Sequence, residues 1–279
     1  MKKVLYISMA VVTLFFVAAC SSEEETPTPT PTEAVQTVNL VVSGSGSVTG
    51  VLAAIADEFE AANPGYVLEV LPGSGTGEGV TGTIDGTFDL AAMSRPARDT
   101  EAEAGIEYVQ FGTSVTAIMT HPDVGVTELT GEQLKGIFTG TITNWSEVGG
   151  ADLDIIVYVR DPEEGNTVDL RETFIGEDDF AASAQIMLSQ NDLQNVVSSV
   201  EGAIGYGTWA TALANEADVV SLSVDGMGVD NFPDTMITLM GIGYLTDRKG
   251  DVQPFIDWLA SEEGQTTLTA IGVVPGTPE

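Results

Sequence analysis

Residues 38–49 read VNLVVSGSGSVT and residues 66–77 read YVLEVLPGSGTG, so one pattern occurs twice in close succession. In each stretch an apolar extended run ends in a turn of Gly, Ser or Thr residues, and a segment with helical periodicity follows. The first predicted helix, Val48–Ala62, stops at Asn63-Pro64-Gly65, and the second ends near Ile84. This alternation predicts an α/β fold with a parallel or mixed sheet and helices on both faces.

The two turns, Ser43–Ser47 (the first turn) and Gly73–Gly77 (the second turn), have the composition of an anion-binding site. A strand that ends in such a turn and opens a helix directs several backbone N–H groups and the positive end of the helix dipole at one point. Gly allows close approach of the backbone, while Ser and Thr add hydroxyl donors without adding charge. One such turn is weak evidence, but two in one domain predict a cradle for a phosphate-like oxyanion.

Two further strands end in polar loops. Phe88–Met93 is followed by Ser94-Arg95-Pro96, and Ile155–Val159 leads into the loop Arg160–Thr167. Ligand sites in such folds lie at the C-terminal ends of the strands, where all four loops are placed. Because the long apolar stretch Tyr108–Thr120 can carry the chain into a second lobe, we expect Arg160 to face the two turns from that lobe.

The beginning of the chain predicts an export signal and a lipid anchor. Lys2 and Lys3 precede an apolar stretch that ends at Phe16, and small residues lead to Cys20. We therefore expect residues 1–19 to be a signal peptide and Cys20 to be the lipidated first residue of the mature protein. The alternative is an ordinary secretory signal with a coincidental cysteine. Since Cys20 is the only cysteine, no disulfide can form within one chain.

Residues 20–37 predict a tether between this anchor and the folded domain. They contain three consecutive glutamates and the run TPTPTPT at 26–32, which cannot bury apolar area and favours an extended polyproline II conformation. No later stretch of the sequence is long and apolar enough to span a bilayer. We therefore expect an extracytoplasmic domain that is attached to the cell membrane through its lipid alone.

The charge of the chain limits its partners. There are 42 Asp and Glu residues against 9 Lys and Arg residues, so the net charge is −33. Nucleic acid and anionic membrane surfaces are therefore excluded as partners. Neutral N–H and hydroxyl groups can still hold an anion, because the overall field is screened beyond about 8–10 Å in ordinary salt. His121 is the only histidine, and a Ser/His catalytic pair or a His-metal site lacks partners, so neither is expected, and no cofactor is expected.

Several stretches besides the two turns are distinctive: MSRP at 93–96, LTGEQL at 129–134, IFTG at 137–140 with NW at 144–145, GAIGY at 202–206 and SEEGQ at 261–265. Together they make the chain from about Val38 to Pro275 resemble the phosphate-type solute-binding proteins of ABC importers. The resemblance implies a two-lobed, type II periplasmic-binding-protein fold with two crossover strands as the hinge. It also implies a monomer without enzymatic activity, which captures inorganic phosphate between its lobes and delivers it to an ABC permease.

The resemblance also implies domain boundaries and site residues. Lobe I would comprise residues 38–112 and 225–279, with the return near Tyr244–Leu245 and closing helices in Val252–Ile271, and lobe II would comprise residues 113–224. The phosphate-binding residues implied in lobe I are Ser45, Gly46, Ser47, Val48, Thr49, Thr76, Gly77 and Ser94. Those implied in lobe II are Arg160, Glu164, Gly165, Asn166 and Thr167.

Two places depart from the family pattern. Val48 stands where the family usually has a hydroxyl residue, and the usual Ser-Gly-Thr after the arginine is replaced by Glu164-Gly165-Asn166 or, with the loop shifted by one, by Gly165-Asn166-Thr167. Ser94 falls where some members of the family have an aspartate and others a serine. Glu164 either faces solvent or supplies the proton acceptor lost with Ser94, which would favour protonated phosphate over sulfate. The alternatives left open are another oxyanion as ligand, or a sensor or adhesin with the same fold. A surface phosphate-ester hydrolase has less support, because no nucleophile–base pair is visible.

Overall fold

The computed structural model describes residues 37–276 of the chain. The predicted signal peptide, the lipidation site Cys20 and the tether up to residue 36 lie outside the described residues, so they stay predictions. Within the part that is described, no helix has the length and apolar character needed to cross a membrane.

The first part of the chain builds a parallel sheet with helices packed on it. Its elements are β1 (Val38–Gly44), α1 (Gly46–Ala62), β2 (Tyr66–Val70), α2 (Thr76–Ile84), β3 (Leu90–Met93) and α3 (Asp99–Glu103). Strand β1 lies between β2 and β3 and is parallel to both. The carboxyl ends of the three strands therefore meet at one edge of the sheet, which brings the first turn, the second turn and Ser94 together.

The rest of the chain alternates between strands and short helices. Its elements are β4 (Ile106–Thr120), β5 (Glu128–Leu129), α4 (Gly131–Thr139), β6 (Ile156–Val159), α5 (Gly165–Leu170), β7 (Gln185–Ile186), α6 (Gln190–Ser199), β8 (Ala203–Thr208), α7 (Trp209–Ala214), β9 (Val220–Val224), β10 (Ile237–Leu245), α8 (Lys249–Ala260), α9 (Glu262–Ala270) and β11 (Val274–Pro275). A π-helical turn, Arg171–Ile175, continues α5. The predicted closing segment is thus the helix pair α8 and α9.

Strand β4 connects the two halves of the molecule. The strand order is β2-β1-β3-β10-β4-β8-β6-β7. Residues of β4 from Ile106 to Val115 pair antiparallel with β10, and those from Thr116 to Thr120 pair antiparallel with β8. The return, β10, is a nine-residue strand rather than the expected pair Tyr244–Leu245. Its glycines weaken the strand signal in the sequence, whereas pairing with β3 and β4 on either side stabilises it.

The two largest apolar cores lie on either side of the change in β4 pairing. In the first, the ring of Phe59 packs edge-on against Phe255 at 4.8 Å and Trp258 at 5.8 Å between centroids. In the second, Phe138 and the fully buried Trp145 are central, and the indole N–H of Trp145 donates to the Gly202 carbonyl oxygen. Each half of the molecule therefore has its own core, as separate lobes require.

Candidate anion-binding site

The loops of both halves line one cleft. This cleft, of about 530 Å³, is lined by residues of the first and second turns and by the loop after β6, including Ser45, Gly46, Thr76, Gly77, Ser94, Glu164 and Gly165. An adjoining cavity of about 270 Å³ is lined by Gly46, Thr49, Gly75, Arg160 and Glu164. An inner cavity of about 80 Å³ is lined by Ser45, Ser47, Ser94, Glu164 and Asn166 among others. The structure thus brings most of the predicted site residues together, and Glu164 lies where the three spaces meet.

The first turn presents the N-terminus of α1 to the cleft. The N–H of Ser45 donates to the Ala92 carbonyl oxygen at 2.8 Å, which fixes the turn on β3. The N–H groups of Val48 and Thr49 bond the Ser45 carbonyl at 3.1 and 2.9 Å. In the described part of the chain, the N–H groups of Gly46 and Ser47 have no such acceptor. These two donors, rather than those of Val48 and Thr49, are therefore free for an anion.

Val48 and Thr49 contribute little with their side chains. The side chain of Val48 is fully buried in the first core, so a valine there removes no donor from the cleft. The hydroxyl of Thr49 donates back to the Gly46 carbonyl at 3.3 Å. The departure of Val48 from the family pattern therefore leaves the donors of the first turn in place.

The second turn is bonded to the first. The N–H groups of Ser74 and Gly75 both donate to the Gly44 carbonyl at 2.8 Å. Gly75 has φ +96°, a conformation that favours glycine, and Thr76 then opens α2. The hydroxyl of Thr76 lies 3.2 Å from that of Ser94 and accepts from the Ser94 N–H. The two turns and Ser94 therefore form one connected group of neutral donors.

Glycines allow the two turns to approach this closely. A Cβ atom on Gly44 would lie 2.3 Å from the Ala92 carbonyl oxygen, and one on Gly73 would lie 2.6 Å from the Gly46 Cα atom. Both contacts are with backbone atoms that cannot turn aside. The glycines are therefore needed because the backbones of the two turns and β3 lie so close together, as well as because some positions require a positive φ angle.

Arg160 is the cation of this site. Its backbone N–H donates to the Tyr206 hydroxyl at 3.0 Å, which holds the end of β6. Arg160 is only 8% exposed, and its Nη2 donates to the Glu164 carboxylate at 2.6 Å and to the Leu188 carbonyl at 3.4 Å. Its buried Nε has no partner among the described residues. Removing a guanidinium from water costs free energy, and a charged partner offsets that cost. A buried guanidinium with unused donors is therefore well suited to bind an anion.

Glu164 pairs with this arginine. It precedes α5 but makes no capping bond with its side chain, which is 35% exposed. The sequence suggested either that Glu164 faces solvent or that it accepts a proton from the ligand. In the structure, the Glu164 carboxylate accepts a hydrogen bond from one donor of Arg160, and its role toward a ligand stays a prediction.

The remaining predicted residues of lobe II are bonded within the protein. Asn166 donates from Nδ2 to the Thr116 hydroxyl at 2.6 Å and accepts from the Ser47 hydroxyl at 3.3 Å. The hydroxyl of Thr167, which is fully buried, lies 2.7 Å from that of Tyr206. Asn166 lines the inner cavity, whereas Thr167 lines none of the three spaces.

Asp169 is a residue of the inner cavity that the sequence did not suggest. Its Oδ2 accepts from the Thr116 hydroxyl at 2.7 Å. Burial raises the pKa of Asp169 to about 6, a hydrogen bond from Thr116 opposes this shift, and the nearby Glu172 charge adds to it. Its position three residues after Asn166 on a helix is a signal that could have pointed to it, since such residues share a face.

The mouth of the cleft carries two arginines from the loop after β3. Arg95 makes a two-pronged ion pair with Glu101, at 2.7 and 2.8 Å, which holds it against its own lobe. Arg98 lines the same mouth opposite the acidic residues Asp161 and Glu163. Within the described residues, no group of three or more His, Cys, Asp or Glu side chains is arranged to hold a metal ion.

Comparison with known proteins identifies the family. A family described as a PBP superfamily domain matches residues 27–267. The phosphate-binding protein PstS of Bacillus subtilis is 28% identical over 298 residues, which cover 99% of this chain and 96% of that protein. A putative phosphate ABC transporter substrate-binding protein from Clostridium perfringens, solved with bound phosphate, has a TM-score of 0.71 at 26% identity, over 86% of this chain and all of that one.

An ABC-type phosphate transport receptor from Vibrio cholerae shares the fold, with a TM-score of 0.58 at 24% identity over 84% of this chain and 99% of that one. The two-lobed α/β fold and the resemblance to phosphate-type solute-binding proteins are thereby confirmed. These relatives are substrate-binding proteins rather than enzymes. The chain belongs to the PBP superfamily.

Proposed function

We propose that this protein captures inorganic phosphate in the cleft and delivers it to the membrane subunits of an ABC permease. One observation carries the proposal: the neutral donors of the two turns lie opposite a buried arginine that has unused donors. The N–H groups of Gly46 and Ser47 and the hydroxyls of Thr76 and Ser94 contact the anion from lobe I, and Arg160 contacts it from lobe II.

This arrangement suits an anion that is captured by closure of two lobes. The donors are held in place before the ligand arrives, because the turns are bonded to each other and to β3. When the lobes close, water is excluded and the charge of the anion is balanced by Arg160 and the ends of α1 and α2. Preorganised donors reduce the ordering that binding requires, which favours high affinity. The net negative charge of the chain matters little inside such a site.

The proposal extends to the placement of the protein. Lobe I comprises residues 38–112 and 225–279, and lobe II comprises residues 113–224. The protein is a monomer outside the cytoplasm, attached to the membrane through a lipid on Cys20 and a tether of residues 20–37. This placement keeps a diffusing ligand-binding domain close to its permease.

Calorimetric titration tests the proposal. The domain starting near Thr37, stripped of carried-over ligand, is titrated with phosphate, arsenate, sulfate and molybdate. We expect tight binding of phosphate, and we expect Arg160→Ala to weaken it by roughly 100-fold or more, since truncation removes the charge that balances the anion. Arg171→Ala is the matched control, because the Arg171 guanidinium lies over the Phe180 ring and not in the cleft.

The same series separates the alternatives. Binding of sulfate or molybdate in place of phosphate would identify another oxyanion as the ligand. If no anion binds, the transport role is overturned and a sensor or adhesin with this fold remains. Equal affinity in the wild type and in Arg160→Ala would show that the anion binds elsewhere.

A further inference from the structure

We propose that Leu188 is a specificity-determining residue of the anion site, which excludes phosphate monoesters. When the two lobes close, its side chain fills the adjoining cavity, where the organic substituent of an ester would otherwise lie. Inorganic oxyanions have no such substituent and are accepted. This inference rests on the proposed function, and it names the class of phosphate compound that the cleft admits.

Leu188 forms a wall of the site without being packed. At 90% exposure, its side chain is the most exposed of the large apolar side chains in residues 37–276. Exposed leucines are common on protein surfaces, and exposure alone indicates nothing. This leucine, however, lines the adjoining cavity of about 270 Å³ next to Arg160. An apolar side chain in that position is buried when the cavity closes, and its burial is favourable.

The backbone around Leu188 is held on both sides. The Met187 N–H donates to the Val159 carbonyl at 2.8 Å, which fixes the segment on β6. The Leu188 carbonyl accepts from Arg160 Nη2 at 3.4 Å, and the Ser189 hydroxyl caps the next helix, α6. Only the side chain of the leucine is therefore free to change its contacts. Since Arg160 contacts the anion in the proposed complex, the leucine stays beside the ligand.

The opposite wall of the adjoining cavity suits an apolar partner. It is formed by Pro72 and the second turn, of which Pro72, Gly73 and Ser74 are exposed. The Ser74 N–H donates to the Gly44 carbonyl at 2.8 Å, and the Pro72 carbonyl accepts from the Ser43 hydroxyl at 2.9 Å. The Ser74 hydroxyl lies 3.2 Å from that of Ser43. Because these polar groups are bonded within lobe I, the wall presents a proline ring and glycine backbone to the leucine.

The dimensions of the site make this contact selective. The inner cavity, of about 80 Å³, has room for only a small ion, so an ester held by the same donors must place its substituent outside it. In one direction lies the adjoining cavity, which the leucine occupies on closure. In the other lies the mouth of the cleft, where Arg98 is opposite Asp161 and Glu163 and their attraction favours approach of the lobes. A substituent therefore either overlaps the leucine or holds the lobes apart.

The test compares Leu188→Ala with Ile186→Ala in the full chain solubilised in detergent. Ile186 is the matched control, because it is 66% exposed on the same segment but lines none of the three spaces. Dissociation constants for phosphate and methyl phosphate are measured by calorimetry. We expect Leu188→Ala to reduce the preference for phosphate over methyl phosphate by ~10-fold or more, and Ile186→Ala to change it by less than ~2-fold.

Two further readouts separate this role from a structural one. Phosphate should dissociate ~3–10-fold faster from Leu188→Ala in stopped-flow measurements, since burial of the leucine is lost in the closed state. The midpoint of chemical denaturation should stay unchanged, because the leucine is exposed before closure. Leu188→Met, which keeps an apolar side chain of similar volume, should retain the preference within ~3-fold.

An unchanged preference in Leu188→Ala, or an equal loss in Ile186→Ala, would overturn the inference while leaving phosphate capture intact. The same holds if Leu188→Ala shows no detectable binding of methyl phosphate, or if the wild type binds methyl phosphate as tightly as phosphate. Failure of the wild type to bind phosphate would instead overturn the proposed function, and this inference with it.

Discussion

The two faces of the cleft differ in where their polar groups are directed. In lobe I, the first and second turns use backbone N–H groups and hydroxyls, and they bond mainly to each other and to β3. In lobe II, the polar side chains of the loop after β6 are bonded to protein partners: Arg160 to Glu164, Asn166 to Thr116 and across the cleft to Ser47, and Thr167 next to Tyr206. Lobe I thus offers neutral donors to a ligand, whereas lobe II offers the N–H groups at the start of α5 and one charge that is already partly occupied.

Because of this difference, substitutions on the two faces of the cleft should affect binding in different ways. A change in lobe I acts through the backbone, because the donors there are N–H groups whose positions depend on the approach of the two turns. A change in lobe II acts through competition and support, because its side chains have partners that exist with or without a ligand. The predictions below test this contrast.

Among the changes that compare the two faces, Gly73→Ala in lobe I is expected to have the largest effect. A Cβ atom at this position would lie 2.6 Å from Gly46 Cα, so the two turns must separate. We expect a loss of about 2–4 kcal/mol in the free energy of unfolding and a weakening of phosphate binding by roughly 10–100-fold. Chemical denaturation and calorimetry measure the two effects.

Gly77→Ala is the control for this prediction. Gly77 belongs to the same turn, but a Cβ atom there meets nothing within 4 Å, and its φ is not in the left-handed region. It should leave the free energy of unfolding nearly unchanged. Equal effects of the two changes on stability would show that the glycines act through chain flexibility and not through close approach.

The contrast between the lobes also explains what the sequence predicts. The donors of lobe I depend on local features, a strand, a glycine turn and a helix start, so the two turns were identified from residues a few positions apart. In lobe II, the partners of Thr167 and Asn166 are 39 and 50 residues away. No local pattern shows that Thr167 turns inward to Tyr206.

The fold, too, can be predicted only where local patterns determine it. The alternation of strands and helices was sufficient for the α/β class and for the presence of β1, β2 and β3. Strand β10 was recognised only at its last two residues, because Gly241 and Gly243 interrupt its apolar pattern. Its stability comes from pairing on both edges, which is a tertiary effect. The spacing of Asp169 from Asn166 is a local signal for a shared helix face, but its hydrogen-bond partner Thr116 is 53 residues away and no local pattern shows it.

A smaller effect is expected from Glu164→Gln in lobe II. The change removes a carboxylate that competes with the anion for Arg160. We expect phosphate affinity to rise by about 3–10-fold, an increase that diminishes at high salt because the competing pair is partly exposed. Calorimetry at low and high salt measures it.

Glu163→Gln is the matched control, since Glu163 lines the same cleft and makes no ion pair within the described residues. A rise in affinity for Glu163→Gln of the same size would mean that general charge, and not competition for Arg160, is responsible. A fall in affinity for Glu164→Gln would show that the ion pair orients Arg160 for the ligand.

The smallest effect is expected from Thr167→Val, which tests whether this residue belongs to the site at all. Its buried hydroxyl lies 2.7 Å from that of Tyr206, so its removal should lower the free energy of unfolding by about 1 kcal/mol. Phosphate affinity should stay within about twofold, because Thr167 lines none of the three spaces.

Thr173→Val is the control. It removes a hydroxyl pair of the same length, between Thr173 and Thr235, that is exposed rather than buried, so the free energy of unfolding should fall by less than about 0.5 kcal/mol. A large loss of affinity with unchanged stability would place Thr167 on the ligand, and the side chains of lobe II would then face the anion as directly as the turns of lobe I.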